Sequence, residues 1–444
     1  MCHKYTLTLK RNNSQSKFDA LRQEFSTFTF ERQTVKCEDG ALRLCFDFDL
    51  DGRYRFRPTL EIPARPFFDW DGISEEQLQT LAFQIGMTEL VSYWKIACPK
   101  RVVVKPFALT DSQKAFWKKL YYNGLGEFLY LNSITVSEAD LMEIESVGSQ
   151  CFVKVERPLL DKALVPVGGG KDSVVTLECL RNTMPVIPLI VNPRGATLNC
   201  VDTAGYRDDE FIVINRTLDP TMLQLNAEGY LNGHTPFSAL LAFISVLVAF
   251  GSRSRYIALS NENSANESTV PGTNINHQYS KSIEFESDFR NYVAENLNDE
   301  VQYFSFLRPL SELQIAKLFS ECEAYHPVFR SCNVGSKTDS WCGHCPKCLF
   351  TWIILSPFLS REKLVAIFGK DLMEDASLQP ILEELNGTAA VKPFECVGTV
   401  EEVRACMEAV MGNRNQVDEI LRRFNTHHFL PSQFERILKN RLHV

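Results

Sequence analysis

The sequence predicts an α/β protein with a doubly wound parallel sheet, an N-terminal α+β domain and a helical C-terminal tail. From about residue 160, short apolar runs alternate with helical stretches, which is typical of a parallel sheet with helices on both faces. One of these runs leads directly into three glycines and a helix. A chain of 444 residues has room for two or three domains. We expect them over residues 1–155, 156–358 and 359–444.

The N-terminal region is predicted to contain a β-hairpin followed by helices. Apolar residues alternate along 42–50 and resume at Tyr54. A three-residue loop over 51–53 would pair Leu50 with Tyr54 and Phe48 with Phe56. A two-residue turn would instead place the apolar side chains of the two strands on opposite faces of the hairpin. Helices are expected to begin at pairs that form capping boxes, namely Ser74 with Gln77 (a helix to about Ile96), Thr110 with Gln113 and Thr399 with Glu402.

The apolar runs after residue 160 are predicted to be the strands of the parallel sheet. They cover residues 163–167, 186–191, 211–214, 256–259 and 303–306. In the C-terminal tail, two short helices are expected over residues 416–425 and 432–442. Polar or turn residues follow each run. Because ligands of open α/β sheets bind outside the carboxyl ends of the strands, this edge is the predicted ligand site, and Asn261 is one of its candidate binding residues.

Composition and charge exclude several classes of protein. Lys and Arg number 47 against 55 Asp and Glu, a net charge of −8, which offers no broad surface for nucleic acid. The first five residues have no apolar run behind them, so we expect no signal peptide, and the apolar stretch 239–250 is too short to span a bilayer. Fourteen cysteines then indicate free thiols or metal ligands in a reducing compartment. We expect a cytoplasmic protein without nucleic-acid or membrane partners.

The sharpest motif is a glycine loop, VPVGGGKDS, at residues 165–173. Glycines allow tight turns and a close approach of the backbone to a ligand, and the N–H groups at a helix N-terminus bind anionic oxygens. The spacing fits neither a Walker A loop nor a dinucleotide-binding G-x-G-x-x-G. The candidate phosphate-binding residues are Gly168, Gly169, Gly170, Lys171, Asp172 and Ser173.

This loop resembles the S-G-G-x-D-S signature of PP-loop ATP pyrophosphatases, which cleave ATP to AMP and pyrophosphate. The resemblance implies a sheet of that fold type, with ATP bound at the glycine loop. It implies that Gly169, Gly170 and Ser173 bind pyrophosphate and that Asp172 helps to hold Mg²⁺ or positions the loop. Gly168 replaces the first serine of the signature. Lys171 is either a point charge that compensates for this loss or a solvated lysine.

Four cysteines within 17 residues form a second motif: Cys332, Cys342, Cys345 and Cys348. Thiolates at this spacing can surround one Zn²⁺ tetrahedrally, and four protein ligands leave no open position, so we expect a structural zinc site. Free reduced thiols and a redox C-x-x-C are the alternatives. A similar cluster follows the PP-loop core of 7-cyano-7-deazaguanine synthase.

Further motifs, in the same order, resemble the bacterial UDP-N-acetylmuramoyl-L-alanyl-L-glutamate epimerase family. They are NGLGEF (123–128), LNGHTP (231–236), SNE (260–262), NHQYSKS (276–282), LRPLSE (307–312), WCGHCPKC (341–348) and KPFECVG (392–398). The resemblance implies inversion of the terminal L-glutamate of a nucleotide-linked muramoyl dipeptide through an acyl-adenylate, with release of AMP and pyrophosphate. The alternative is a nucleobase- or tRNA-modifying PP-loop ligase, which would explain the loop and the cysteines but not the other motifs.

An inversion needs proton-transferring groups on both faces of Cα. Besides Asp172, the candidate catalytic residues within these motifs are His234, His277, Lys281, Glu395 and Cys396. His234 could instead cap the next helix, Cys396 could be a core thiol, and His277 and Lys281 would share one face if they lay on a helix. Arg308 and Arg330 are candidate ligands for substrate carboxylate or phosphate, with simple ion pairs as the alternative.

Overall fold

A computed structural model of the chain describes residues 11–270 and 272–442, so the predicted absence of a signal peptide at the first residues lies outside the described part. The described residues contain one sheet of eleven strands. The strands are β1 Thr27–Glu38, β2 Ala41–Leu50, β3 Tyr54–Phe56, β4 Thr59–Ile62, β5 Arg101–Val104, β6 Glu143–Ser146, β7 Leu160–Pro166, β8 Val186–Val191, β9 Ile212–Thr217, β10 Ser254–Leu259 and β11 Gln302–Ser305.

Helices surround this sheet and form the C-terminal part of the chain. They are α1 Gln15–Glu24, α2 Glu75–Trp94, α3 Asp111–Gly124, α4 Gly126–Leu131, α5 Glu138–Leu141, α6 Lys171–Leu180, α7 Gly195–Thr203, α8 Pro220–Ala227, α9 Phe237–Ser252, α10 Ile283–Asn296, α11 Glu312–Ser320, α12 Pro346–Leu355, α13 Arg361–Phe368, α14 Gln379–Leu385, α15 Val400–Val410, α16 Asn415–Ile420 and α17 Ser432–Leu442. Beyond β11 the described residues form helices and turns, which agrees with the predicted helical tail.

The strand order is β11-β10-β7-β8-β9-β4-β2-β1-β5-β6, with β3 paired to β2. All five strands predicted after residue 160 are present, and each pairs in parallel with its neighbours among these five. The sheet then continues into the N-terminal region, because β4 pairs antiparallel with β9, Thr59 opposite Thr217. The expected boundary at residue 155 therefore falls within one continuous mixed sheet.

Two hydrophobic cores lie on opposite faces of the sheet. Leu164 and Ile257 belong to the core that includes α2, α9 and α10. The alternate residues Val165 and Ala258 belong to the other core, which includes α6, α11, α12 and α17. Because successive side chains of a strand point to opposite faces, strands buried on both faces are continuously apolar. The sheet is therefore covered by helices on both faces, as the sequence predicts.

The local predictions in the N-terminal region are confirmed. Leu50 pairs with Tyr54 and Phe48 with Phe56. All three predicted capping boxes form, at the starts of α2, α3 and α15. The helix predicted over 416–425 is wrong at its end: α16 stops at Ile420, because the chain turns away and the Asn425 N–H donates to the Pro309 carbonyl at 3.0 Å.

Apolar helices of the described part are buried in the cores rather than membrane-spanning. The apolar stretch predicted to be a buried helix lies in α9, and 13 of the 16 residues of α9 are buried. Within residues 11–270 and 272–442, no helix combines the length and the apolar character that crossing a bilayer would need.

Candidate active site

The glycine loop connects β7 to α6 and has the backbone that its glycines predict. Gly169 adopts a left-handed conformation with φ +79°, and a Cβ there would lie 2.9 Å from the Ala196 carbonyl carbon. A Cβ at Gly170 would lie 2.7 Å from the Ser331 Oγ, whereas one at Gly168 would meet nothing within 4 Å. The backbone thus requires glycine at position 169, whereas a Cβ at position 170 would displace the Ser331 hydroxyl.

Lys171 and Asp172, at the start of α6, belong to a group of charges in which Lys171 is buried and Asp172 is partly exposed. The Lys171 ammonium is 3% exposed and forms ion pairs with Asp172 and with Glu312 at the start of α11. Burial lowers the pKa of Lys171, but the two carboxylates outweigh burial and raise it. The alternative of a solvated lysine is therefore excluded. Ser173 is buried, and its hydroxyl donates to the Gly170 carbonyl at 3.0 Å.

One cleft brings the loop together with residues from five other motifs. It is lined by Lys171, Asp172, Ser260, Asn261, Glu262, Gln278, Lys281, Glu312, Ser331, Lys347, Phe350, Thr351 and Cys396. Five of these were candidate site residues from the sequence. Glu312 was not, although it ends the LRPLSE motif, which was its only sequence signal. The cleft lies at the carboxyl end of β10, as expected for an open α/β sheet.

Cys396 lies among cations in this cleft. The Lys281 Nζ is 3.1 Å from the Cys396 Sγ, and the charge of the His277 imidazole also acts on the sulfur. Burial raises the pKa of Cys396, but the charges of Lys281, Lys347 and His277 outweigh burial and lower this pKa to about 5. The sulfur is therefore a thiolate at neutral pH, which an ordinary core thiol is not.

Behind Cys396, His277 is held by a carboxylate that the sequence analysis missed. Glu127, on α4, has its Oε2 2.5 Å from the His277 Nδ1 and 3.6 Å from the His234 Nδ1. Burial lowers the pKa of His277, but Cys396 and Glu127 raise it to about 9. Burial and the charge of His277 lower the pKa of His234 to about 4. Glu127 lies in the NGLGEF motif, which was its only sequence signal.

The ligand atoms of Glu127, His234 and His277 lie within 4.8 Å of one another. Two ligand atoms of one tetrahedral Zn²⁺, each about 2.0–2.1 Å from the metal, would be about 3.3 Å apart. The 2.5 Å contact between Glu127 and His277 is shorter and fits a charge-assisted hydrogen bond. We therefore interpret Glu127 and His277 as hydrogen-bonded partners, with His234 at 3.6 Å from the same carboxylate oxygen. His234 does not cap α9, since the N-cap residue of that helix is Pro236 and no side chain forms a cap hydrogen bond there.

His277 and Lys281 reach the same sulfur without sharing a helix. Only Tyr279–Lys281 forms a short 3-10 turn, and the turn before it directs His277 towards Glu127. Glu395 accepts a hydrogen bond from the Asn333 Nδ2 at 2.7 Å, and burial raises its pKa. Asn261, also in the cleft, donates to the Ser305 hydroxyl at 3.1 Å.

The two candidate arginines differ in position. Arg330 adjoins the glycine loop, its N–H donating to the Gly169 carbonyl at 2.8 Å, and its Nε is buried without a hydrogen-bond partner in the described part of the chain. Arg308 is 0% exposed, pairs with Glu286 at 3.1 Å and donates to the Glu262 and Lys281 carbonyls. Arg308 thus fixes the backbone beneath the cleft, and its contact with substrate stays a prediction.

The four predicted cysteines converge on one point next to the cleft. Their sulfurs are 3.7 Å apart for Cys332 and Cys345, 3.7 Å for Cys342 and Cys348, and 3.5 Å for Cys345 and Cys348. A tetrahedron with Zn–S bonds of about 2.3 Å has sulfurs about 3.8 Å apart. Gly343, at φ +71°, makes the tight turn, and backbone N–H groups donate to two of the sulfurs. The cluster is therefore compatible with a structural zinc ion.

Comparison with known proteins identifies the family. Residues 19–306 match the MurL N-terminal domain and residues 328–432 the MurL C-terminal domain. The first match contains all eleven strands, and the second contains the cysteine cluster. No solved structure was found to match the chain.

Three curated relatives carry the name UDP-N-acetyl-alpha-D-muramoyl-L-alanyl-L-glutamate epimerase. The protein from a Micromonospora species is 36% identical over 398 residues, 86% of each chain. The relative from Xanthomonas oryzae pv. oryzae is 33% identical over 421 residues, 92% of this chain and 91% of the relative. That from Salinispora tropica is 36% identical over 401 residues, 86% of this chain and 84% of the relative. The chain belongs to the UDP-N-acetyl-alpha-D-muramoyl-L-alanyl-L-glutamate epimerase family.

Proposed function

We propose that this protein inverts the terminal L-glutamate of UDP-N-acetylmuramoyl-L-alanyl-L-glutamate in an ATP-dependent reaction of peptidoglycan precursor synthesis. The observation that carries the proposal is a shared cleft: Lys171 and Asp172 of the glycine loop line the same cleft as Lys281 and Cys396. Phosphate chemistry and proton transfer at carbon can therefore act on one bound substrate. The names of the curated relatives supply the substrate.

Activation of the glutamate α-carboxylate explains why an epimerase would carry such a loop. A free carboxylate next to Cα opposes carbanion formation through its negative charge. Attack of this carboxylate on the α-phosphorus of ATP would form an acyl-adenylate and release pyrophosphate, which removes that charge and acidifies the Cα–H. After inversion, water would cleave the anhydride to give the D-glutamate product and AMP.

The residues of the loop have matching tasks in this proposal. The N–H groups of residues 168–170 and the start of α6 would bind the pyrophosphate oxygens, with the unpartnered Nε of Arg330 next to them. The Lys171 ammonium is paired with Asp172 and Glu312. In the reaction it would also stabilise the negative charge of the leaving pyrophosphate. Mg²⁺, held by Asp172 and phosphate oxygens, would stabilise the charge that develops there.

The cysteine cluster has a structural task in the proposal. Zn²⁺ bound by Cys332, Cys342, Cys345 and Cys348 would fix the segment that carries Lys347 and Phe350, both of which line the cleft. Four thiolates leave no coordination position for substrate. ATP and nucleotide-linked precursors are found in the cytoplasm, where we propose that the reaction takes place.

Turnover in heavy water tests the proposal. Incubation with UDP-N-acetylmuramoyl-L-alanyl-L-glutamate and Mg-ATP in D2O should place one deuterium on the glutamate Cα of the D-product, together with one AMP per activated carboxylate. The nucleobase- or tRNA-modifying ligase predicts a new amide, nitrile or thio group with the Cα–H untouched. AMP release with unlabelled L-glutamate would refute the epimerase assignment, and no AMP with this substrate would refute the proposal altogether.

A further inference from the structure

Resting on the proposed function, we infer that the Cys396 thiolate exchanges the proton at Cα on one face of the adenylated glutamate. We also infer that Glu127 acts through His277 to keep this thiolate charged. The Cys396 side chain lines the cleft next to the glycine loop. Its Sγ contacts the Lys281 Nζ at 3.1 Å. The charge of His277 also acts on the sulfur, and His277 is itself held by Glu127 at 2.5 Å. The Cys396 sulfur, the His277 imidazole and the Glu127 carboxylate are thus arranged in a row that ends with the sulfur at the cleft.

The surroundings of the half-buried Cys396 differ from those of fully buried cysteines in the protein. Cys98 and Cys406 are fully buried, and burial raises the pKa of each thiol. Burial raises the pKa of Cys396 as well, but Lys281, Lys347 and His277 lower it to about 5. Three positive groups converge on this one sulfur. Such an arrangement stabilises the thiolate, the form of cysteine that accepts protons.

The groups that face His277 decide its charge. Glu127 and Cys396 raise its pKa to about 9 against the effect of burial. His234, the other imidazole against Glu127, has its pKa lowered to about 4 and is neutral at pH 7. The partly buried carboxyl of Glu395, next to Cys396, has a pKa that desolvation raises. Between about pH 5 and pH 9 the cleft therefore holds a thiolate beside an imidazolium.

The carboxylates near Lys281 complete the inventory of charges around the thiolate. Glu262 and Asp172 both act on the Lys281 ammonium, and together with Cys396 they raise the pKa of Lys281 against the effect of burial. Lys281 therefore stays protonated over the whole working range. It is a fixed positive charge rather than a proton acceptor, so the acceptor next to it is the sulfur.

The proton transfer is balanced as follows. The thiolate takes the Cα proton and becomes a thiol, and the electron pair left on Cα delocalises onto the carbonyl oxygen of the activated carboxylate. A solvent-derived proton returns to the opposite face and inverts the centre. The thiol then loses its proton to solvent, helped by the neighbouring cations. Cys396 is a catalytic residue in this scheme, and Glu127, His277 and Lys281 are positioning residues.

Separate assays of adenylation and inversion test the role of Cys396. Cys396→Ser should keep AMP formation within about tenfold, while inversion and Cα deuterium incorporation fall about 10²–10⁴-fold, the usual loss of a general base. Cys151→Ser, at an exposed free cysteine, should leave both rates unchanged. Inversion by Cys396→Ser at the wild-type rate would overturn the inference. Failure of the wild-type protein to form AMP would instead overturn the proposed function.

A second measurement needs no variant at Cys396. The rate of iodoacetamide alkylation, resolved by mass spectrometry for the peptide that carries Cys396, should rise with a midpoint near pH 5 in the wild-type protein. Glu127→Gln removes the charge that keeps His277 protonated, so the midpoint should rise by about one unit or more, and Glu127→Asp should restore it. A wild-type midpoint near the ordinary thiol value, or no shift in Glu127→Gln, would overturn the inference. So would a hydroxylamine-sensitive acyl adduct on Cys396, which would make the sulfur a nucleophile.

Discussion

Replacement of Gly169 by alanine gives the most direct test of the glycine loop. The residue has φ +79°, and a Cβ would lie 2.9 Å from backbone atoms of residues 196 and 197 at the start of α7. A side chain in the left-handed region costs about 1–3 kcal/mol. With about 2.1 cal/mol/K of unfolding entropy per residue and 444 residues, the Tm should fall by about 1–3 °C. A shift of about 1 Å in the loop N–H groups should lower AMP formation about a hundredfold.

Gly168→Ser is the matched control, because a Cβ at residue 168 meets nothing within 4 Å and the residue is exposed. It also restores the serine of the PP-loop signature. Its Tm should match the wild type within the roughly 0.5 kcal/mol expected of a surface substitution, and AMP formation should be kept. Both variants are compared by thermal unfolding and by chromatographic assay of AMP. A Gly169→Ala protein with unchanged Tm and full AMP formation would refute the reasoning.

The loop, the cysteine cluster, a buried ion pair and the cleft each give a further expected result. Asp172→Asn, at a side chain 36% exposed, should stay folded yet form AMP about a hundredfold more slowly; normal turnover would leave the loop a structural role only. Metal analysis should find about one zinc per chain, lost in Cys345→Ser with most of the soluble protein; folded, metal-free wild type would refute this. Glu89→Ala leaves the buried Arg216 unpaired and should cost about 3–5 kcal/mol, which Glu89→Met with Arg216→Met should largely recover in thermal unfolding. The pH profile of kcat/KM should be a bell with limbs near pH 5 and pH 9, since the thiolate is protonated below the first and the imidazolium is lost above the second; a flat profile across both limbs would contradict these roles.

Features with a local cause could be predicted from the sequence. The hairpin register follows from alternation along 42–50 and the length of its loop, and helix starts follow from capping residues at fixed spacing. The cysteine cluster follows from four ligands within 17 residues. The conformation of the glycine loop could be predicted because glycine readily adopts the left-handed backbone that the loop requires. In each case the partners lie within a few residues of one another, so the sequence pattern contains the whole interaction.

Features that join distant parts of the chain were decided only by the tertiary structure. The pairing of β4 with β9 joins strands of the expected N-terminal and central regions in one sheet. No local sequence pattern identifies the strand that will pair with an open edge. Glu127 meets His277 across 150 residues, and Lys281 meets Cys396 across 115. Packing also decided that Arg308 is fully buried and that Arg330 lies next to the glycine loop. The sequence determined which ionisable groups were present. Packing determined which of them interact electrostatically, because pKa values and ion pairs depend on distances that only the folded chain sets.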